Sequence, residues 1–332
     1  MNPLFLQGPC HRREELYDRE EELEAITKAL KNNAWVAILG PRMAGKTSLA
    51  IVSANITGKK VVYVNFKGAE SLRDATVRIL NALGGSKLMG IKRIKLGPIE
   101  VEREIEKPSL LLEEILLGLK KSVVIFDEIQ DVKQGVNKFL NVLSIVRNTK
   151  RDVEFIFTGS AIGLMDSLLN PDPKNPLYGR SPIKVEIGPW DIQTAINFIE
   201  SGLSECRVEY TTKEISEVVE ELGTLPGWLS FYGLRRCTGM RHREALEDAI
   251  GEGVKVARGE LENLLRSRPE WARKALRAMA FGAKWSELLK LGASKSGLHN
   301  FLSVLKKLYL VSKKGNLYVI ADPIYRKACL EL

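Results

Sequence analysis

The sequence predicts an α/β fold in which a parallel sheet carries helices on both faces and is followed by a smaller, mainly helical part. Three observations predict it. Five short apolar runs, at 35–39, 61–66, 123–126, 153–157 and 183–187, have the length and composition of buried strands. The first four lie between helical segments, the alternation of a parallel sheet covered on both sides. After Pro189 the strand-like runs stop and apolar residues recur at helical spacing.

Residues 19–31 read as the first helix, because Leu23, Ile26 and Leu30 share a face and Glu24 and Lys28 form a supporting i,i+4 pair. The segment 84–108 interrupts the strand–helix rhythm, and its alternating character with a Gly-Pro break predicts a small hairpin insertion. Past the sheet, Asp191 is a cap for a helix with the stripe Ile192, Ala195, Ile196 and Ile199. Thr211 and Glu214 have capping-box spacing and open a second helix that Gly223 closes. Two more helices are expected near 227–238 and 242–265. The last part reads as helices at 270–280, 285–291 and 295–308, with Ser286 and Ser294 near helix starts. A hairpin follows, in which Lys314, Gly315 and Asn316 separate two strand-like runs. Three helices and then a hairpin is the order of a winged helix.

Composition bounds the functional classes. The 332 residues are 45% hydrophobic and 27% charged, which excludes general disorder and suits two domains with a small third. The longest uncharged stretch, 222–234, has 13 residues and is broken by glycine and proline. A membrane span needs about 18 or more apolar residues, so none is expected. The N-terminus has neither the basic start nor the apolar run of a signal peptide. Cys10, Cys206, Cys237 and Cys329 are far apart and form no CxxC, so neither a disulfide framework nor a cysteine zinc site is expected, and a reducing cytoplasm fits. The net charge of +9 is unevenly spread: from Arg266 onward there are 14 Lys and Arg against 4 Asp and Glu. Such a segment suits a polyanion, because neutralised phosphates release counterions. A solvated, lysine-rich thermophile surface is the other reading of the same charge.

The chemistry lies in two motifs. Gly40, Pro41, Arg42, Met43, Ala44, Gly45, Lys46 and Thr47 match GxxxxGK[ST], between a strand and a helical run that begins at Ser48. Glycines let backbone N–H groups turn inward around phosphate oxygens, and the helix adds its positive N-terminal end. Lys46 is the candidate cation for the β- and γ-phosphates, and Thr47 the candidate Mg²⁺ ligand. The second motif ends an apolar strand with Asp127 and Glu128, about 80 residues after Lys46. Asp127 is placed to hold Mg²⁺ through water, and Glu128 to polarise the attacking water. The water-activating carboxylate favours an ATPase over a small-molecule phosphotransferase. Thr149, Lys150, Arg151 and Asp152 spell a guanine-reading string, but they precede their strand instead of following it. ATP is therefore the expected nucleotide. Thr158 and Ser160 end the fourth strand, where a hydroxyl can reach the γ-phosphate or the water. Arg180 precedes the fifth strand and is a candidate for γ-phosphate charge; a surface salt bridge is its plainer reading.

In this combination the chain resembles the mainly archaeal P-loop ATPase family of the STAND class, relatives of the AAA+ ATPases. The likeness runs from YDREEELEAI through the phosphate loop, VVIFDE, FTGS, LYGRSPIKVEIGPW and GTLPGWL to the terminal winged helix. The resemblance implies that Tyr17 and Arg19 contact the base, that Ser160 is the first sensor, and that Arg180 senses the γ-phosphate in the same or a neighbouring subunit. It further implies that Pro226 touches the nucleotide and couples it to the lid angle. Here Thr224 stands where the family usually has glycine. A weaker similarity extends to archaeal origin-recognition ATPases.

The expected organisation is a P-loop NTPase core (AAA+/STAND-like) at 1–190, a helical lid at 191–265 and a winged-helix domain at 266–332. The expected function is a cytoplasmic ATP/ADP- and Mg²⁺-binding switch that hydrolyses ATP slowly and moves the winged helix with the lid. Its expected partner is double-stranded DNA, met by Lys295, Lys306, Lys307, Lys313 and Lys314, with His299 among the polar positions of the same helix. Self-association or a protein partner, a transposition-linked or origin-recognition-like DNA-binding ATPase, and a non-catalytic nucleotide-holding module are the alternatives.

Overall fold

The computed structural model describes residues 4–84 and 107–332. By contacts the chain divides into two compact units. One comprises Cys10–Leu39 and Lys46–Ile187; the other comprises the N-terminal residues through Pro9, Gly40–Gly45 and Gly188–Leu332.

The first unit carries the sheet. Its elements run α1 (Glu20–Lys31), β1 (Val36–Leu39), α2 (Lys46–Ile56), β2 (Lys60–Asn65), α3 (Leu72–Ala82), α4 (Pro108–Gly118), β3 (Ser122–Asp127), α5 (Val136–Thr149), β4 (Val153–Gly159), α6 (Gly163–Leu169) and β5 (Ile183–Glu186). The strands lie in the order β2-β3-β4-β1-β5, and every pair is parallel. β1, β3 and β4 are buried along their whole length because neighbours flank them and helices cover them. β2 and β5, at the edges, bury only some positions. The core under the helices is aromatic: Phe126 packs on Phe66 at 5.1 Å and on Phe155 at 5.4 Å, and Trp35 meets Phe155 edge-on at 4.7 Å. The five strands predicted from the apolar runs are these five. The hairpin predicted within 84–108 lies outside the described residues, apart from its flanks.

The second unit is α7 (Ile192–Glu205), α8 (Thr212–Leu222), α9 (Pro226–Cys237), α10 (His242–Leu265), α11 (Glu270–Phe281), β6 (Ala283–Lys284), α12 (Trp285–Leu289), α13 (Lys295–Lys307), β7 (Val311–Lys314), β8 (Leu317–Ile320) and α14 (Pro323–Leu330). The short strands form an antiparallel sheet in the order β6-β8-β7. Sequence-legible caps set the helix starts. Asp191 accepts from the Thr194 amide at 2.9 Å, Thr211 from the Glu214 amide at 3.2 Å, and Ser294 from the Gly297 amide at 3.0 Å. Each such cap contributes about 1 kcal/mol. The β7–β8 turn is Gly315 and Asn316, with Gly315 at φ 58°, the left-handed conformation that a tight hairpin requires.

Several expectations are corrected. The stripe of α7 centres on Ala195, Phe198, Ile199 and Leu203, while Ile192, counted in it from spacing, is 65% exposed. Helix α12 stops at Leu289. Strand β6 and helix α14 had no place in the sequence reading, although Asp322 followed by proline is a helix-start signal. Cys206 and Cys237, expected to stay unpaired, form a disulfide with Cα atoms 5.4 Å apart. They lie 31 residues apart in sequence, but the C-terminal ends of α7 and α9 meet. On the chain-entropy view a loop of that length is worth about 3–4 kcal/mol. No helix among the described residues is long and apolar enough to cross a membrane.

Helix α14 packs on α8, α10 and α11 and hides its cap. The Asp322 carboxylate accepts from the Tyr325 amide at 2.9 Å and the Trp228 indole N–H at 3.1 Å. Burial pushes its carboxyl up to about 6 from the ordinary 3.8. Between those values the unfolded chain has released a proton that the folded chain keeps, so this group's contribution falls as pH rises. Asp322→Asn loses one acceptor at every pH but cannot ionise. Its stability relative to the parent is therefore expected to improve by about 2–3 kcal/mol from pH 4 to pH 7. Urea denaturation of both proteins checks this, and a pH-independent difference would refute it.

Candidate active site

The candidate site begins where β1 ends. The loop after Leu39 takes left-handed conformations at Met43 (φ 66°) and Gly45 (φ 91°), and the chain then enters α2 at Lys46. Glycine suits the second of these; the methionine pays a strain that surrounding contacts must hold. Within the C-terminal unit the contacts are visible. The Gly227 amide, in the first turn of α9, donates to the Met43 carbonyl at 2.9 Å. A Cβ on Gly227 would come within 2.6 Å of the Met43 side chain, so this approach requires glycine. Pro226, the first residue of α9, lies beside Gly45. Arg42 forms an ion pair with Glu260 of α10, and Glu260 also accepts from the Tyr325 hydroxyl of α14. Thr224, the departure from glycine, clamps the chain: its hydroxyl donates to the Trp190 carbonyl at 2.7 Å, and its carbonyl accepts from the Trp190 amide at 3.1 Å.

In the sheet unit, Thr47 and Asp127 meet. The Thr47 hydroxyl lies 3.2 Å from each Asp127 carboxylate oxygen, and Asp127 is only 3% exposed. Two neighbouring strands supply further hydroxyls. In the register, Asn65 of β2 pairs with Asp127, so Tyr63, two residues earlier, projects from the same face. Its hydroxyl donates to Asp127 at 2.7 Å. Phe157 of β4 pairs with Phe126, so Thr158 stands opposite Asp127 and donates to its other oxygen. Burial, and then the Asp127 charge, raise the Tyr63 phenol well above its usual range and keep it a donor. Three neutral hydroxyls thus solvate one buried carboxylate. A buried carboxylate beside a threonine hydroxyl is the hard oxygen donor set that Mg²⁺ takes, so these residues fit that ion.

Thr158, one of two candidates for the γ-phosphate at the end of β4, is committed to Asp127. Ser160 is the hydroxyl left beyond the strand end. Glu128 follows Asp127 in a left-handed conformation (φ 56°) and accepts a hydrogen bond from the Gln130 side-chain amide. Ser48, in the first turn of α2, accepts from the Cys10 amide at 3.0 Å, which ties the N-terminal segment to the helix. Asp18 and Arg19 are consecutive left-handed residues before α1, and Arg19 is paired with Glu22 at 3.0 Å. Tyr17, the other residue expected at the base, directly precedes Asp18.

Arg180 is not brought to the others. It precedes β5, whose first residue Ile183 pairs with Val36 at the start of β1. That is the end at which β5 begins, away from the strand end that carries Asp127. There Arg180 donates to Asn148 at the end of α5, and its charge, after burial, lowers the neighbouring Arg147 guanidinium. The sequence reading missed Tyr63, Gln130, Gly227 and the Arg42–Glu260 pair. Period-2 alternation in β2 exposes Tyr63 as facing one side, but its match to Asp127 depends on a register that only the fold supplies.

A parallel five-stranded sheet with β1 running through a glycine loop into a helix, beside a strand-end Asp-Glu pair, defines a P-loop nucleotide-binding fold. The chain belongs to the family of ATPase domains found predominantly in Archaea, which matches residues 16–230. It is similar to the Walker-type ATPase of Pyrococcus abyssi, at 26% identity and a TM-score of 0.80 over 98% of this chain and 99% of that one. It shares its fold with the ORC2 protein of Aeropyrum pernix in ADPNP–ADP complexes, at 16% identity, TM-score 0.66 and coverage of 99% and 95%. The Cdc6p protein of Pyrobaculum aerophilum is more distant, at 13% identity, TM-score 0.51 and coverage of 98% and 96%. No curated protein matches in sequence.

Proposed function

We propose that this protein is a STAND-class molecular switch that binds ATP on the 40–48 loop, hydrolyses it slowly and passes the nucleotide state to its C-terminal elements. The observation that carries this reading is the approach of Thr47 and Asp127 to 3.2 Å, with Glu128 next in sequence. Lys46 binds the terminal phosphates as a cation and the loop amides cradle them. Glu128 takes the proton of the attacking water. Mg²⁺ held by Thr47 and Asp127 would neutralise charge on the β- and γ-oxygens. Ser160 orients the water or the γ-phosphate, Pro226 reads the nucleotide beside Gly45, and Tyr17 and Arg19 receive the base. Arg180, placed at the end where β5 begins, reaches a γ-phosphate in a neighbouring copy rather than its own.

Coupling has a physical route. Arg42 and Met43 sit in the loop, and their partners are Glu260 and Gly227. A γ-phosphate that redirects Arg42 competes with Glu260, and Glu260 is also held by Tyr325 of α14. A ligand shifts a conformational equilibrium only through such differential contacts.

We read the elements α11, β6, α12, α13, β7 and β8 as a winged helix whose α13 enters the major groove of double-stranded DNA. Lys295 opens that helix, Lys306 and Lys307 close it, and Lys313 and Lys314 stand before the wing turn. Lys306 and Lys313 also lie 5.6 and 5.9 Å from the Tyr318 ring centroid, which gathers cations around one aromatic ring. The test is a DNA titration at two salt concentrations, with ATP, with ADP and without nucleotide, on the parent and the Lys313→Ala/Lys314→Ala variant. Nucleotide-sensitive binding that weakens in the variant, with a shallower salt slope, is expected. No binding at low salt would overturn the DNA reading and leave the basic segment as a dock for a protein.

A further inference from the structure

Glu128 has a positioning problem. Side chains of consecutive strand residues point to opposite faces, so a strand that aims Asp127 at Thr47 cannot by itself aim Glu128 at the same place. The chain answers with a left-handed residue: Glu128 at φ 56° and ψ 42° leaves the strand and starts the short helical turn Ile129–Asp131. The strand ladder therefore no longer orients its carboxylate. The Gln130 amide does, through its side-chain N–H bonded to Glu128 Oε2.

The rest of Gln130 is built around that contact. Its side chain crosses the end of β4 so closely that a Cβ on Gly159 would lie 1.9 Å from Gln130 Oε1 and 3.0 Å from Cδ. Gly159 is paired in register with Leu39, the last residue before the phosphate loop. The amide thus spans from Glu128 to the strand ends that carry the loop, in a slot that only glycine leaves open. Its Oε1 is buried without a hydrogen-bond partner. Burying an unpaired amide oxygen is unfavourable, so the side chain is not placed there by its own hydrogen bonding. Among the described residues, the partner of its amide N–H is Glu128.

We propose that Gln130 is a positioning residue for ATP hydrolysis, holding the Glu128 carboxylate where it can take a proton from water. The inference rests on Glu128 being the general base. A residue that acts through Glu128 lowers kcat when lost and spares ATP affinity. A misplacement of about 1 Å in a catalytic group costs on the order of 100-fold in rate.

The experiment compares the parent, Gln130→Met, Glu128→Gln and the double variant by single-turnover ATP hydrolysis, by equilibrium binding of a fluorescent ATP analogue and by thermal midpoint. Gln130→Met keeps the volume and removes the donor. It is expected to lower the hydrolysis rate about 10- to 100-fold, with ATP affinity within about twofold of the parent. In the Glu128→Gln background it is expected to add no further loss, because it acts through a carboxylate that is gone. Gln130→Asn, a smaller change whose amide stops one methylene short, is expected to show the same split. An unchanged rate in both Gln130 variants, an equal loss of ATP affinity, or a full additional loss in the double variant would overturn the proposal. A parental rate in Glu128→Gln would instead remove the general base itself, an outcome distinct from the failure of Gln130 alone.

Discussion

Lys46→Ala is expected to weaken ATP and ADP binding by about 100-fold, to abolish hydrolysis and to leave the fold intact. Lys46 is the first residue of α2, directly after the left-handed Gly45. The helix N-terminus and the loop amides supply partial positive charge, and the lysine supplies a full one. A hydrogen bond to a charged group contributes about 1.5–3 kcal/mol, so one lost contact to a phosphate accounts for roughly 10- to 150-fold. The core of α2 lies further along, at Leu49, Ala50, Ile51 and Val52, and the substitution does not touch it. Alanine is also the best helix former at that position. Calorimetric titration with ATP is the direct measurement. Thermal denaturation with and without ATP gives the control, since a ligand that binds only the folded chain raises the midpoint. Parental affinity in the variant would show that the GxxxxGK[ST] loop is not the nucleotide site.

Much of the fold was legible because its signals are local. Five apolar runs separated by amphipathic stretches are enough to call for a parallel sheet, and Asp191, Thr211 with Glu214, and Ser294 each announce a helix start within four residues. The phosphate loop and the Asp127–Glu128 pair were legible for the same reason: their chemistry needs contiguous residues after a strand. What escaped depends on pairs far apart in sequence. Tyr63 and Thr158 reach Asp127 from strands 64 and 31 residues away. Cys206 and Cys237 meet because α7 and α9 end together. Arg180 reads as a phosphate-sensing arginine in the linear string, and only the fold shows that it stands where β5 begins, bonded to Asn148. Helix α14 was a different kind of miss. Its Asp-Pro start was visible, but the hairpin before it read as the end of a complete motif.

The second large effect concerns turnover rather than binding. Glu128→Gln is expected to bind ATP as the parent does and to hydrolyse it about 10²- to 10⁴-fold more slowly, the range that a general base supplies. The substitution is close to isosteric, and the new amide still offers a carbonyl oxygen to the Gln130 N–H, so the turn at 128–131 is kept. Thr47, Tyr63 and Thr158 contact Asp127, not Glu128, and the carboxylate they solvate is unchanged. What is lost is the carboxylate proposed to accept the proton of water. The variant therefore holds the ATP state, and it separates the two halves of the proposed switch. If the γ-phosphate sets the C-terminal elements, Glu128→Gln with ATP stays in the state that the parent occupies only between hydrolysis events. Its DNA binding should then match that of the parent with a non-hydrolysable ATP analogue. Rapid-quench measurement of ADP formation, beside the DNA titration, decides both points. A parental rate would remove Glu128 from the chemistry. A slow rate with DNA binding indifferent to nucleotide would keep the ATPase and break its link to the C-terminal elements, leaving the Arg42–Glu260–Tyr325 contacts as packing alone.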